Sequence, residues 1–487
     1  MKWSDLIFLL PEVILTVGGC FLLLMPLFRL RRGGDEARWW ILALLAITAG
    51  ATVWASNAVV GVEQTAAFQR MFVLDMFSIF FKMLLIGGVA IVVLLSTDYL
   101  QEGGYSTWEF YALLVFALCG MCFMVSGVHL ISIYVGLELL SLSSYILAGY
   151  YKRETKSTEA AMKYFVTSAV SSAILLYGMS IIFGVCGSLN LQVIHRELST
   201  FVASDALIIG IVLLASGLCF KIAAVPFHVW TPDVYTGAPT PVTAFLSTAS
   251  KTAAFAIFAR IFYMALAGFH LDWSMILAVV AVLSMVIGNL AAITQDNIKR
   301  MLAYSSIAHA GYGLLGIIAL NELGLFAILI YTLVYMFANL GIWATILMMR
   351  RHEYAGETIA DFEGLHVRAP FLSFAMVVFL LSLGGIPPTA GFIGKYFLFA
   401  AAIQAGYAWL AAVAVLMSAV SMFYYLRVVV AMYLKDGQES EVATSPSLKF
   451  AIFVCFVVTL VFGVVPEGLI SGVRQSLQSI LAATTGG

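Results

Sequence analysis

Five side chains that can exchange a proton lie inside long apolar stretches of this chain: Glu138, Lys221, Lys251, His309 and Lys395. Hydrocarbon strongly disfavours an isolated charge, so ionisable groups at this depth usually mark ion pathways or proton relays. Desolvation favours the neutral form of a buried lysine, whereas a nearby carboxylate favours the ammonium. A lysine and a glutamate whose separation changes can therefore take up or release a proton.

Each of these residues also has a plain structural explanation. Glu138 and Lys221 could form a static buried ion pair. Lys251 or Lys395 could extend toward the membrane surface, although their positions deep in the apolar stretches make this difficult. His309 lies between two alanines and, taken alone, is better explained as a core histidine with satisfied hydrogen bonds. Five such groups on five stretches together favour a hydrated polar axis parallel to the membrane.

Four further titratable residues are secondary candidates. Glu159 and Lys163 are four residues apart, which is typical of an ordinary helix ion pair but could also serve a proton entrance. His228 and Asp233 follow Pro226 in the run PFHVWTPDVY. The other charges in apolar stretches lie nearer the ends and are expected to be structural: Glu12, Asp75, Lys82, Arg260 and Arg427.

Membrane helices must position these residues. The chain of 487 residues is 62% hydrophobic and only 10% charged, whereas soluble domains have about 25% charged residues. A spanning helix needs about 20 apolar residues, so we predict an all-α polytopic membrane protein with about 14 spans. The net charge of -1 gives no reason to expect a nucleic-acid partner. The predicted spans are 6–29, 39–60, 72–97, 108–126, 128–150, 160–185, 206–235, 241–267, 274–294, 300–320, 324–349, 371–404, 408–433 and 449–472.

The first apolar run is expected to be a retained helix rather than a cleaved signal. Its segment Val17 to Cys20 faintly resembles a lipoprotein cleavage site, but apolar sequence continues beyond it and Pro11 and Glu12 interrupt the run.

Lysine and arginine concentrate in the loops after the odd-numbered spans. Under the positive-inside rule, these loops are predicted to be cytoplasmic and both termini to lie on the opposite side. The residues concerned are Arg29, Arg31, Arg32, Arg38, Lys152, Arg153, Lys156, Lys299, Arg300, Arg350, Arg351, Arg368, Lys435 and Lys449.

Two predicted spans are interrupted in a similar way. The seventh breaks at Pro226, and the twelfth breaks at Gly384–Gly385 and the following Pro387 and Pro388. Each is fourth in a set of five, spans 4–8 and spans 9–13, and an odd number of spans makes the second set inverted. Interrupted helices at matching positions indicate a transporter with its site near the bilayer midplane, although prolines could also merely kink both helices. We therefore predict segments 1–107, 108–267 (first repeat), 268–434 (inverted repeat) and 435–487 (C-terminal helix).

The chain is expected to carry no cofactor. Cys119 and Cys122 are the only close cysteine pair, and no second pair or histidine cluster completes a zinc or iron–sulfur site. Neither a Gly-x-Gly-x-x-Gly motif nor a phosphate-binding loop is present. We therefore expect no flavin, nicotinamide or metal in this chain.

Several long motifs resemble those of the antiporter-like membrane subunits of respiratory complex I. They are PFHVWTPDVY at 226–235, GAPTPVTAF at 237–245, LLPE at 9–12, GLEL at 136–139 and GIPPTAGF at 385–392. The resemblance covers essentially the whole chain. It implies a proton-translocating subunit of NADH-quinone oxidoreductase in the bacterial inner membrane, with flavin, iron–sulfur clusters, NADH and quinone bound by other subunits. The implied partners are a sister antiporter-like subunit, small membrane subunits and the lipid bilayer.

The same resemblance implies roles for individual residues. Glu138 matches the family's glutamate and Lys221 its lysine partner. Lys251 matches the connecting lysine, His309 a relay histidine and Lys395 the terminal residue of the route.

Two other functions stay open. A stand-alone or multisubunit cation/proton antiporter would work without NADH or quinone. A purely structural subunit would retain undiminished proton pumping after Lys221→Ala or Glu138→Ala.

Overall fold

The chain is almost entirely helical in a computed structural model that describes residues 5–28, 34–59, 66–199, 205–349, 357–437 and 445–485. The predicted cytoplasmic residues Arg29, Arg31, Arg32, Arg350 and Arg351 lie outside these ranges. In chain order, the α-helices are α1 (Asp5–Phe8), α2 (Leu10–Phe28), α3 (Asp35–Val59), α4 (Met76–Glu102), α5 (Thr107–Ser126), α6 (Leu130–Ala148), α7 (Thr155–Cys186), α8 (Leu191–Ser199), α9 (Asp205–Lys221), α10 (Trp230–Gly237), α11 (Thr240–Phe245), α12 (Lys251–Met264), α13 (His270–Ile293), α14 (Ile298–Ala319), α15 (Glu322–Met348), α16 (Leu365–Arg368), α17 (Pro370–Gly384), α18 (Ala390–Gln404), α19 (Ala408–Leu434), α20 (Pro446–Val464) and α21 (Glu467–Thr485).

The helices provide the predicted fourteen spans. Twelve helical segments within the described ranges are long and apolar enough to cross a membrane. One of them joins α11 to α12 through a π-helical turn at Leu246–Ser250. The seventh and twelfth spans are each a pair of shorter helices, α9 with α10 and α17 with α18. The fold is therefore an all-α membrane bundle with two broken helices, as predicted.

Contacts between loops fall into two groups. In the loops that follow even-numbered spans, the backbone of Asn190 forms a β-bridge with that of His129. The Asn190 side-chain amide donates to the Arg70 carbonyl at 2.8 Å. In the loops that follow odd-numbered spans, the backbone of Asn297 forms a β-bridge with that of Thr358. These contacts join loops of the same parity, as expected when successive helices cross the bundle in alternating directions.

Both helix breaks are held by backbone contacts. The Val225 N–H, which follows the end of α9, donates to Ser284 Oγ at 2.9 Å, and Pro226 has no N–H to continue the helix. Gly385 has φ +85°, a left-handed conformation that favours glycine. The Gly391 N–H donates to Ser382 Oγ at 3.1 Å. At each break, a backbone N–H is thus satisfied by a serine hydroxyl of the protein, which is the kind of partner that a broken helix in a membrane needs.

Three local features differ from the sequence prediction. Residues 66–67 and 72–73 form a short antiparallel hairpin, β1 (Ala66–Ala67) and β2 (Phe72–Val73), so the third span begins only at Met76. The fourteenth span ends at Val464 rather than at residue 472. Beyond Pro466, the amphipathic α21 packs against α4 and α15 instead.

Two buried ion pairs connect the N-terminal helices to one another and to the first set of five. Lys82 Nζ lies 2.7 Å from Glu12 Oε1, with both side chains 1% exposed or less. Arg260 donates to both carboxylate oxygens of Asp75 at 2.8 and 2.9 Å. Asp75 also caps α4 through the Ser78 N–H. These contacts fix α2 against α4, and α4 against α12.

Candidate functional site

Lys221 lies at the last residue of α9, where the seventh span breaks. Its Nζ donates to Ser141 Oγ at 2.8 Å and to Ser168 Oγ at 2.9 Å. These serines come from α6 and α7, so the break places one ammonium between three helices. The end of α9 supplies the position, and the two neighbouring helices supply neutral acceptors.

Glu138 lies one turn from Ser141 on α6 and is half-buried. Its carboxylate accepts a hydrogen bond from Ser172 Oγ at 2.5 Å. Within the described residues Glu138 and Lys221 share no direct ion pair, because each contacts serines of α6 or α7 instead. The static ion pair considered from the sequence is therefore absent, and the two groups face each other across a serine-lined gap.

Lys251 directly follows the π-helical turn in the eighth span. Its Nζ donates to the Ser306 carbonyl at 2.7 Å and also to Ser306 Oγ. A π-helical turn inserts extra backbone width, and such turns are frequent at functional sites. Only 3% of Lys251 is exposed, so its ammonium does not extend to the surface.

His309 lies one turn beyond Ser306 on α14 and connects to two tyrosines. Its Nδ1 is 2.6 Å from the Tyr331 hydroxyl, and its Nε2 is 3.2 Å from the Tyr425 hydroxyl. The Tyr425 hydroxyl is also 2.5 Å from Ser305 Oγ. The hydrogen bonds of this histidine are satisfied, as the core explanation requires. Its partners are hydroxyls, however, and a hydroxyl can both donate and accept.

A small cavity joins Lys251 to His309. Its volume is about 10 Å³, close to the minimum that one water molecule needs. The lining residues are Lys251, Thr252, Phe255, Ser306, His309, Ala310, Tyr331, Thr332 and Tyr335. The cavity therefore has room for about one water molecule between the two titratable groups.

Lys395 turns back from α18 onto the break of the twelfth span. Its Nζ donates to the Gly384 carbonyl at 3.0 Å and to Ser418 Oγ at 2.8 Å, and it lies 4.7 Å above the ring of Tyr312. Lys395 is 4% exposed and borders an open, mostly apolar pocket of about 700 Å³ between α18 and α19. Both broken helices thus bring a lysine to their break.

Three of the four secondary candidates come together at the end of the seventh span. Asp233 accepts from Lys163 at 2.8 Å and from Arg300 at 3.0 Å, and Lys163 also contacts Glu159 at 2.8 Å. This network joins α7, α10 and α14, although such exposed pairs contribute little stability. His228 does not join it and lies half-buried at the break.

The structure adds hydroxyl and amide side chains that the sequence did not single out. Tyr424 donates to Asn289 Oδ1 at 2.9 Å, and Asn289 Nδ2 donates to the Tyr312 hydroxyl at 3.2 Å. This network runs beside His309 to the ring beneath Lys395. The signal in the sequence that could have indicated it is Asn289, an asparagine within an apolar span, which the structure buries completely.

No group of three or more possible metal ligands occurs in the ranges that the structure describes. All six cysteines are free, and Cys119 and Cys122 are buried in α5.

The bundle with two broken helices and a row of lysines in its interior has the architecture of antiporter-like membrane transporters. Residues 127–421 match the family model described as "NADH:quinone oxidoreductase/Mrp antiporter, TM". The chain is 42% identical over 481 residues to NADH-quinone oxidoreductase subunit N of Trichlorobacter lovleyi, with 97% of each chain covered. The chain therefore belongs to the NADH-quinone oxidoreductase subunit N family.

Solved structures agree with this assignment. A chain of respiratory complex I from Thermus thermophilus is 33% identical, with a TM-score of 0.81 over 95% of this chain and 98% of that one. A chain of the Mrp complex from Dietzia sp. has a TM-score of 0.83 over 100% of this chain and 99% of that one. At 23% identity, the second likeness concerns the fold alone.

Proposed function

We propose that this chain is a proton-translocating membrane subunit of an NADH-quinone oxidoreductase. The observation that carries the proposal is the setting of its three axial lysines. Each lies at a helix break or next to a π-helical turn, and each donates to serine hydroxyls or backbone carbonyls. Neutral acceptors permit an ammonium to lose its proton without leaving an unpaired carboxylate behind. Lys221, Lys251 and Lys395 are therefore suited to change charge.

In this proposal Glu138 and Lys221 form the switch. A displacement at the break of the seventh span changes the distance between the carboxylate and the ammonium, and with it the stability of the Lys221 charge. Lys251, His309 and Lys395 then pass the proton along the second set of helices. The network of Glu159, Lys163 and Asp233 lies at the proposed cytoplasmic entrance, while Pro226, Pro387 and Pro388 maintain the two breaks.

The proposal extends to the surroundings of the chain. Flavin, iron–sulfur clusters, NADH and quinone would be bound by other subunits, with none in this chain. Its partners would be a sister antiporter-like subunit, small membrane subunits and lipid. The chain would lie in the bacterial inner membrane with both termini on the non-cytoplasmic side. Segments 108–267 and 268–434 would act as two inverted units between 1–107 and 435–487.

The test is proton pumping by the assembled complex with Lys395→Met. We expect NADH oxidation coupled to pumping to fall by roughly 10²-fold, the usual contribution of a positioned proton-transfer group. Lys435→Met is the matched control, because this lysine pairs with Glu363 at the surface, 56% exposed. Full coupling in Lys395→Met would remove Lys395 from the route.

A cation/proton antiporter is the second candidate, favoured by the family model, whose description also names the Mrp antiporter. It predicts ion exchange in vesicles that contain neither NADH nor quinone. Purification in mild detergent distinguishes the two, since our proposal requires companion subunits that carry redox centres.

A further inference from the structure

Unpartnered polar atoms concentrate at the break of the seventh span and along α10. Four such buried side-chain atoms are His228 Nδ1, Trp230 Nε1, Thr231 Oγ1 and the Tyr235 hydroxyl. They fall within eight consecutive residues, between Lys221 and Lys251 in the chain. Buried polar groups in proteins nearly always have a hydrogen-bond partner, and ordered water supplies it where the protein does not. This stretch is therefore expected to bind water.

A continuous series of aromatic side chains begins at the serines that hold Lys221. Tyr145 lies beside Ser168, and its ring centroid is 4.9 Å from that of Tyr164. Tyr164 stacks on Trp230 at 4.6 Å, and Trp230 meets Tyr235 edge-on at 6.2 Å. The series thus leads from the Lys221 site to the Tyr235 hydroxyl.

The Tyr235 hydroxyl lies on the Lys251 side of this series. Helix α10, which carries Tyr235, packs against α14, which carries Ser306, and the side chains of Ser306 and Tyr335 are close enough to interact with the hydroxyl. Ser306 accepts the hydrogen bonds of Lys251, and Tyr335 lines the same cavity as Lys251. Tyr235 is fully buried, and its hydroxyl has no hydrogen-bond partner among the described residues. One orphaned hydroxyl therefore lies next to the acceptor that holds Lys251.

We propose that the Tyr235 hydroxyl, together with bound water, relays protons between Lys221 and Lys251. The inference rests on the proposed proton-translocating function and adds a residue to it. In each transfer the Lys221 ammonium gives a proton to water, the water gives a proton to the phenol oxygen, and the phenol proton passes through Ser306 Oγ to the neutral amine of Lys251. The phenol is neutral before and after, so no charge remains on it.

Tyr235 is better suited to this step than its neighbours along α10. The Trp230 indole can only donate, whereas a phenol can donate and accept. Thr231 has a hydroxyl as well, but Tyr235 is the residue within range of Ser306. The proton must cross from the first broken helix to α12, and α10 packs against α14, the helix that holds Lys251 through Ser306.

The test is Tyr235→Phe in the assembled complex, assayed in inverted membrane vesicles for NADH oxidation and proton uptake in H2O and D2O. Phenylalanine keeps the ring packing and removes only the hydroxyl. We expect coupled turnover to fall about tenfold, equivalent to about 1.4 kcal/mol, with a larger solvent isotope effect because proton relay becomes limiting. Tyr111→Phe is the control, since its buried hydroxyl already pairs with Thr97 at 2.8 Å away from the axis.

A second variant separates relay from packing. Tyr235→His retains a ring that can donate and accept, so it should turn over faster than Tyr235→Phe. Equal slowing of both variants at equal amounts of complex, or full activity of Tyr235→Phe with an unchanged isotope effect, would overturn the inference. If the Tyr235 variants overturn the inference, Lys251→Met shows how far the failure extends. Loss of pumping in Lys251→Met would mean that only the role of Tyr235 is wrong. Normal pumping in Lys251→Met would mean that the proposed function fails as well.

Discussion

Buried cations in this protein are held in two different ways. Lys82 and Arg260 are fully buried and contact the carboxylates of Glu12 and Asp75 at 2.7 and 2.8 Å. The three axial lysines contact neutral serine hydroxyls and carbonyls instead. A direct carboxylate partner stabilises a fixed charge, while neutral acceptors leave the charge free to change. Pairing with a carboxylate therefore suits a cation that anchors helices to one another. Contact with neutral acceptors suits a cation that relays protons.

The two sets of five helices repeat this logic with different side chains. The second helix of each set carries the titratable partner, Glu138 on α6 and His309 on α14. The third helix supplies a hydroxyl to it, Ser172 in the first set and Tyr331 in the second. The first set thus pairs a carboxylate with its lysine and the second set an imidazole. In the proposed mechanism, the first set is therefore the one that responds to a change in distance between opposite charges.

The largest effect is expected from breaking an anchor. Arg260→Met leaves the Asp75 carboxylate buried without its partner, which typically costs about 3–5 kcal/mol. We expect lower thermal stability of the purified complex and less assembled protein. Asp75→Asn combined with Arg260→Met should recover part of the loss, because it removes the unpaired charge. Unchanged melting of the single variant would show that this pair is not an anchor.

Converting a relay lysine into an anchored one should abolish pumping while the complex still assembles. Ser168→Asp places a carboxylate beside Lys221, and a direct pair at 4 Å contributes about 4 kcal/mol at an effective dielectric constant near 20. We expect pumping to fall at least roughly a hundredfold. Ser168→Asn is the neutral control of similar size, and it should retain most of the activity. Normal pumping with aspartate would refute the distinction between the two classes of cation.

Removing one neutral acceptor should have a smaller effect. Ser418→Ala deletes one hydrogen bond of Lys395 but leaves the Gly384 carbonyl. A hydrogen bond to a charged group contributes about 1.5 kcal/mol, so we expect roughly tenfold slower coupled turnover. Ser421→Ala, which removes a hydroxyl that donates only to the Ser418 carbonyl, should pump normally. Equal rates of coupled turnover in the two variants would argue against a role of Ser418 in proton transfer at Lys395.

The smallest effect is expected at the histidine. Tyr331→Phe removes the hydroxyl at Nδ1 of His309 but leaves Tyr425 at Nε2. A neutral hydrogen bond is worth about 1 kcal/mol, so coupled turnover should fall several-fold. Tyr425→Phe should have a larger effect, because the Tyr425 hydroxyl connects His309 to Ser305, whereas both contacts of the Tyr331 hydroxyl are with His309 itself. The reverse order, measured by NADH-driven proton uptake, would place the route on the Tyr331 side.

The spans and their breaks could be predicted because their signals are local. Apolar length marks a span, and Pro226, Pro387 and Pro388 mark the interruptions wherever the chain folds. The serines and tyrosines of the axis could not be predicted in this way, since an uncharged hydroxyl does not stand out in an apolar helix. Ser168 and Ser418 matter only because distant helices bring them to a lysine.

The separation of Glu138 from Lys221 also depends on tertiary structure. The helices that carry these residues are readable from the sequence, but the choice between a direct ion pair and serine contacts depends on how α6, α7 and α9 pack together. The end of the fourteenth span was misplaced for a local reason: apolar residues continue past Pro466 into α21, where they face the bundle rather than the membrane.

Helix α12 is attached to neighbouring helices by a cationic side chain on each of two opposite sides. Lys251 and Arg260 are nine residues apart, and at about 100° per residue they point roughly 180° away from each other. Lys251 contacts Ser306 of α14, and Arg260 contacts Asp75 at the start of α4. Any rotation of α12 about its own long axis must therefore disturb both contacts together. The orientation of Lys251 is thus set in part by Asp75, which holds the other end of α12 through Arg260. The two sites are connected by the rigidity of the helix and not by a chain of hydrogen bonds.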